Sequence, residues 1–236
     1  AISGVGTKAL TFTGSLALIN SALSTNAAHL SYVITNDRPP SSDTLTIIVK
    51  DGGATGIGGP LSATKVVPIA ITPVNDAPVL DLNGPASGFG SSALFVGGLG
   101  PVVLAPAGGL SDVDSDTLAS ISARITSIVD GDALGLSQAA AAAAKSVGAT
   151  VSYIASTKTL SISGASIPLD VAQAIISGVS FVTTSPTLSP RVVEISIVDL
   201  AGEAPVSQLA TVSVSQQPYA TIARPNNTSY VLTLSG

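Results

Sequence analysis

The chain has 236 residues and a formal net charge of -5, which argues against a nucleic-acid ligand. Cysteine is absent, so disulfides and thiolate metal sites are excluded, and oxygen is left as the strong metal ligand: twelve of the fourteen acids are Asp. Abundant Thr, Ser, Val, Ile and Gly with scarce Glu and no Met favour an all-β protein of many short strands, and no run of about 18 strongly apolar residues offers a membrane span. The chain opens at Ala1 without an initiator Met or a charged-then-apolar leader, and is read as a processed product or an excised piece.

Lys8–Gly14 (KALTFTG) reads as a strand and Gly14–Leu23 (GSLALINSAL) as a short helix. His29, the only histidine, stands just before the strand-like run Leu30–Thr35 (LSYVIT) and is read as a strand-edge residue. Without it no Ser-His-Asp or Cys-His arrangement can be built. In Asp43–Gly52 (DTLTIIVKDG), Leu45, Ile47 and Val49 form a period-2 apolar row that turns one face to a core, and Asp51 closes the run just before glycine. A further alternating run carries Val67, Ile69 and Ile71.

Thr72–Gly84 (TPVNDAPVLDLNG) follows. Pro73 and Pro78 fix φ and lack backbone donors, so the segment is a taut junction rather than a central strand. Two readings fit its Asn75 and Asp76: they start a turn, or they hold an ion between modules. Asp112, Asp114 and Asp116 alternate in LSDVDSD, so extended backbone would put the three carboxylates on one side. Counting from Asp112 gives Thr117 and Ala123 where an EF-hand needs Gly and Glu, so it is not an EF-hand. A junctional hard-ion site of Asp76, Asp112 and Asp114, with Asn75, Asp116 and Asp51 as further candidates, stands beside the reading of solvated turn carboxylates. Asp130 and Asp132 (IVDGDAL) read as a glycine-centred turn. Ser137–Lys145 (SQAAAAAAK) has a capping Ser, strong helix formers, a terminal Lys and Gly148 beyond, which predicts two or three helical turns. Its small apolar face reads as a connector lying on a sandwich or as a flat contact for a neighbouring subunit.

The chain then repeats itself. Lys158–Gly164 (KTLSISG) answers Lys8–Gly14 at an offset of 150, Val179–Thr184 (VSFVTT) answers Leu30–Thr35, and Arg191–Leu200 (RVVEISIVDL) answers Asp43–Gly52. Ala165–Gly178 (ASIPLDVAQAIISG) takes the place of the short helix, and Val193, Ile195 and Ile197 align with Leu45, Ile47 and Val49. Asp199 aligns with Asp51 and, with no acidic linker after it, is read as a turn residue. Glu194 falls on the outer face and Asp170 in the helical stretch, so a paired-carboxylate hydrolase is not supported and the chain is read as no enzyme. Short strands with turn signals at this spacing read as an antiparallel sandwich.

Four features carry a family resemblance: the linker PVNDAPVL, the opening GGLSDVDSDTLASISARI, the pair LTFTGSLALINSAL and LSISGASIPLDVAQAI, and the strand ends IIVKDGG and ISIVDLAG. Over residues 8–217 the sequence resembles the cadherin-like repeats of large secreted bacterial surface adhesins, which are sometimes grouped with RTX proteins. The resemblance implies immunoglobulin-like sandwiches strung into extracellular rods on the bacterial cell surface, often stiffened by calcium at the junctions. The sequence departs from it by beginning mid-repeat, by its poly-Ala segment, and by ending the second repeat in SVSQQPYA.

The expected organisation is all-β, with tandem immunoglobulin/cadherin-like antiparallel sandwiches and short helical connectors. Residues 1–74 form the second half of one module, 75–78 a linker, 79–217 a complete module, and 218–236 a tail with one strand. Tyr230, Leu232 and Leu234 form a period-2 row in that tail and are the candidate interface by which copies join head to tail as a filament. The expected function is that of a structural adhesin or filament subunit with calcium as the candidate ion. The alternative is a module that binds carbohydrate or a cell-surface protein through loops at one end; the scarcity of aromatics, four Tyr and four Phe, ranks it second.

Overall fold

The computed structural model describes residues 1–24, 30–53, 57–202, 204–217, 219–226 and 229–235, the last two segments as backbone. The expectation for His29 lies outside the described residues. The chain divides into two units, Ala1–Pro73 and Val74–Gly236. No described helix is long and apolar enough to cross a membrane.

The first unit contains β1 (Ile2–Ser3), β2 (Thr11–Phe12), α1 (Leu16–Ser24), β3 (Ser42–Lys50) and β4 (Ser62–Ala70). β1 pairs with β2, and β3 with β4 in a nine-residue antiparallel ribbon from Ser42↔Ala70 to Lys50↔Ser62. None of its described residues is buried. Leu30–Thr35 forms no strand, contrary to its sequence pattern. Tyr32 from that run donates its hydroxyl to Asp43 Oδ2 at 2.7 Å.

The second unit runs through β5 (Val79–Asp81), β6 (Ser91–Val96), β7 (Val102–Val103), β8 (Gly109–Ser111), β9 (Thr117–Ile125), β10 (Asp132–Leu136), α2 (Gln138–Ser146), β11 (Thr150–Ile154), β12 (Thr159–Pro168), α3 (Leu169–Ile176), β13 (Val179–Thr183), β14 (Arg191–Asp199) and β15 (Val206–Ser215). A six-stranded sheet, β11-β12-β9-β14-β15-β6, faces a three-stranded sheet, β10-β13-β7. Between them lies a continuous core that includes Leu118, Ile121, Ile162, Phe181, Val193, Ile195 and Ile197, all 0–2% exposed. Phe95 meets Phe181 edge-on, ring centroids 5.7 Å apart, a favoured aromatic geometry. The fold is all-β, as the composition predicts. One pairing is not antiparallel: β6 runs parallel to β15, Ser91↔Ala210 to Val96↔Ser215. The two strands are far apart in sequence and no hairpin fixes their relative direction.

Strand β14 shows why the pattern reads as it does. Arg191, Val193, Ile195, Ile197 and Asp199 alternate inward and are buried, while the residues between them are partly exposed. The inward row therefore begins and ends with a charge. Arg191 is fully buried and is tied to Asp132 on the facing sheet, Nε to Oδ2 at 2.8 Å. Its other nitrogens donate to Ser189 Oγ at 2.9 Å, to the Ser189 carbonyl and to the Thr187 carbonyl at 3.1 Å. Asp132 follows the expected turn, with Gly131 at φ +91, but the ion pair across the sandwich was not legible in IVDGDAL.

Helix α2 forms where the sequence predicts it. Ser137 caps it by accepting from Ala140 N at 3.2 Å, and beyond it Gly148 N donates to Lys145 O at 3.0 Å and Ala149 N to Ala144 O at 3.0 Å. Ala140 and Ala144 are buried, so one edge of the poly-Ala face lies on the module. After β15 the tail forms β16 (Tyr219–Asn226) and β17 (Ser229–Ser235), an antiparallel hairpin rather than the single strand expected. Tyr219–Asn226 carries enough β-forming residues to pair back on the last strand.

Candidate junction site

The junction is shaped by where its two prolines fall. Pro73 ends the first unit, and Pro78 is buried at the entrance of β5. Between them Val74–Ala77 has no regular structure and meets two turns of the second unit, one through a side chain and one through backbone.

Asn75 donates its Nδ2 to Asp199 Oδ2 at 2.6 Å and to the carbonyl of Asp76 at 3.2 Å. Both partners are acceptors, which fixes its amide as a donor here. Asp76 takes part through its backbone: its N–H donates to Asp114 Oδ2 at 2.8 Å while its own carboxylate is exposed. Asp112 Oδ1 accepts the N–H groups of Asp114 and Ser115, each at 3.1 Å, and Ser115 Oγ bonds the Thr117 carbonyl at 2.9 Å, so the LSDVDSD turn is braced from within. Asp116 lies exposed on that turn. The structure therefore brings together Asn75, Asp76, Asp112 and Asp114 with Asp199, which the sequence suggested only as a turn residue. The signal for Asp199 was its alignment with Asp51.

The electrostatics of the turn are uneven. Burial pushes the Asp112 carboxyl above the usual range and the neighbouring Asp114 carboxylate adds to the push, against the two backbone N–H groups that pull it down. Asp112 Oδ2 is buried without a hydrogen-bond partner among the described residues. Two adjoining carboxylates with an unsatisfied oxygen have the chemistry of a hard-cation ligand set. As they stand, no three His, Cys, Asp or Glu side chains converge into a metal-holding group among the described residues. The remaining oxygens a calcium ion needs would come from backbone carbonyls and water.

Asp51 belongs to the first unit. Its Oδ1 accepts Gly53 N and Leu61 N, each at 2.9 Å, closing the loop between β3 and β4. Asp199 is used the same way: its Oδ1 accepts Gly202 N at 3.0 Å while Oδ2 faces Asn75. Tyr230, Leu232 and Leu234 all lie on β17.

No protein-family model matches the sequence, and no curated protein matches it. Solved structures similar to the chain include the collagen-binding domain from a Staphylococcus aureus adhesin, at 15% identity and a TM-score of 0.24 over 42% of this chain and 79% of that one. Collagen adhesin from S. aureus is similar at 10% identity and a TM-score of 0.26, over 75% of this chain and 56% of that one. Both likenesses are distant.

Proposed function

We propose that the chain is a structural subunit of a bacterial surface adhesin or extracellular filament, in which β-sandwich modules act as spacers and copies join head to tail by strand addition. One observation carries the reading. On β14 and β15, Val193, Ile195, Ile197 and Val212 are 0% exposed, whereas on the matching ribbon Leu45, Ile47, Val49 and Val67 are 36–61% exposed. Fully burying such side chains is worth about 1.5–3 kcal/mol each, so a cover for this face has a large driving force. The proposed cover is the C-terminal tail of the next copy, with Tyr230, Leu232 and Leu234 as the inward row and backbone hydrogen bonds along the free edge of the ribbon. A contact of this kind is heterologous and does not close, so it propagates into a filament.

The reading assigns the chain no catalysis. It includes calcium at the junction, held by Asp112 and Asp114, where the cation would neutralise the carboxylate pair and stiffen the entrance of the module. Such binding stabilises by RT ln(1 + [L]/Kd), about 2.7 kcal/mol at a hundredfold excess over Kd. The test compares the full chain with a variant lacking residues 227–236, by electron microscopy and sedimentation, with and without a calcium chelator. Filaments from the full chain and monomers from the variant are expected. Filaments that survive truncation would overturn strand addition, and a melting temperature indifferent to chelator would overturn the calcium site.

A further inference from the structure

Four strands end the two large sheets of the second unit: β11 and β6 in the six-stranded sheet, β10 and β7 in the three-stranded one. An end strand presents a row of unpaired backbone N–H and C=O groups, and proteins blunt such rows with charge, brevity, bends or cover. Three of the four are blunted. β7 has two residues, and β10 begins at the inward-pointing Asp132 and contains Gly135. β6 lies against β7, and its Ser91 Oγ donates to the Leu104 carbonyl at 2.7 Å. The fourth, β11, is bare. Thr150–Ile154 (TVSYI) has no charge, proline, glycine or bulge, and among the described residues it pairs on one side only, with β12. Helix α2 touches β11 without covering it: all five strand residues are exposed, Val151 at 44%, Tyr153 at 36% and Ile154 at 51%.

Pairing with β12 sets the two faces of β11. Ser152 stands opposite Ser161, and the row continues through Ser122 and Ser196 to Ser207, serine beside serine across the outer face of the sheet. Val151 and Tyr153 share the other face with the buried Ile162 and Leu160. A second β11, antiparallel and centred on Ser152, pairs every residue of the strand. Ser152 then meets Ser152, Val151 meets Tyr153 and Thr150 meets Ile154. The serine row runs on into the second copy, and each half-exposed apolar residue of the inner face gains an apolar neighbour. A slip of two residues keeps Thr150, Val151 and Ser152 paired but leaves Tyr153 and Ile154 bare. A slip of one turns one copy over and sets its serine row on the apolar side.

We infer that β11 is a self-pairing edge: it receives β11 of a second copy of this chain, antiparallel about a two-fold axis at Ser152, and joins two six-stranded sheets into one. This interface is isologous and closes on two copies, unlike the open head-to-tail contact, and it does not depend on that contact. Where copies are strung into filaments, it ties two of them side by side. A pairing of two five-residue strands falls below the roughly 1,200 Å² of a stable interface, so a single contact exchanges readily and is best read by trapping it.

The test uses single cysteines in the full chain, which has none of its own. The probe is a methanethiosulfonate cross-linker too short for the roughly 13 Å that would separate Thr150 from Thr150 of the second copy. Ser152→Cys should be trapped as a dimer. Thr150→Cys and Ile154→Cys should each stay monomeric alone and be trapped when mixed, because each then stands opposite the other. Ser207→Cys, exposed at the far end of the serine row, measures chance collision and should stay monomeric. Ser152→Cys giving no more dimer than Ser207→Cys would overturn the inference. So would Thr150→Cys and Ile154→Cys cross-linking as well singly as together, since that places the copies in another register. Dimer trapped at Ser152→Cys whether or not filaments form keeps the inference apart from the strand-addition reading.

Discussion

The buried ion pair between the sheets yields the sharpest test of how the second unit is held. Arg191 and Asp132 are each 0% exposed at the side chain and 2.8 Å apart. Asp132→Ala leaves a guanidinium in the core with only Ser189 and Thr187 to face, and removing one partner of such a pair costs about 3–5 kcal/mol. Arg191→Met should cost a similar amount, because it strands the carboxylate. The double variant removes both charges and leaves the Thr187 and Ser189 acceptors and the Val129 N–H, which donates to Asp132 Oδ2 at 3.3 Å, without these partners. Its cost should fall short of the sum of the single losses by about 2 kcal/mol or more, the mark of direct coupling. The chain has no Trp, so urea unfolding is best followed by far-ultraviolet circular dichroism. At roughly 2–4 °C per kcal/mol for a unit of this size, either single variant should melt about 10 °C lower. The control is internal. Arg124–Glu194 has a similar distance, 3.0 Å, but side chains 55% and 31% exposed, so Glu194→Ala should change stability by no more than about 1 kcal/mol. Asp132→Ala costing no more than Glu194→Ala would refute the argument.

Gly178 offers a steric test: a Cβ there would lie 2.4 Å from both Ala140 Cβ and Ser137 Oγ, so Gly178→Ala should displace the start of α2 and cost about 1–3 kcal/mol by the same unfolding assay. A pH test follows from Asp51. The N–H groups of Leu61 and Gly53 hold its carboxyl below the usual 3.8, so its contribution to the loop is present above that value and is lost as the pH falls through the lowered one. The protection of the Leu61 and Gly53 amides, taken relative to intrinsic exchange at each pH, should fall over that acid window in the wild-type chain and stay constant in Asp51→Asn.

What was legible in the sequence was local. The cap, the Ala run and the terminal glycine of α2 lie within a dozen residues of one another, and the helix formed where they placed it. The period-2 row of β14 was legible for the same reason, but its charged ends were not. Arg191 and Asp132 are 59 residues apart, and nothing in IVDGDAL marks an aspartate that will cross the sandwich. At the junction the residue types were informative while the atoms were not: Asp76 engages through its N–H and Asn75 through its amide nitrogen, and spacing cannot tell a donor from a ligand.

Leu30–Thr35 makes the same point in reverse. Its counterpart Val179–Thr183 is a strand because β10 and β7 flank it, pairing Leu134 with Phe181 and Val103 with Ser180. Both flanking strands come from the stretch Pro78–Ser152, which leads into the second copy. The two runs are nearly alike in sequence, so the difference lies in partners rather than in propensity. β14 and β15 are likewise flanked by β9 and β6 from that stretch, whereas β3 and β4 pair only with each other among the described residues. A strand added from another copy should therefore do more than cover Leu45, Ile47 and Val49. By restoring an edge it should raise amide protection along β3 and β4 together, because in a two-stranded ribbon each strand depends on its one neighbour. Protection that rises in β3 alone would place the added strand somewhere other than along this ribbon.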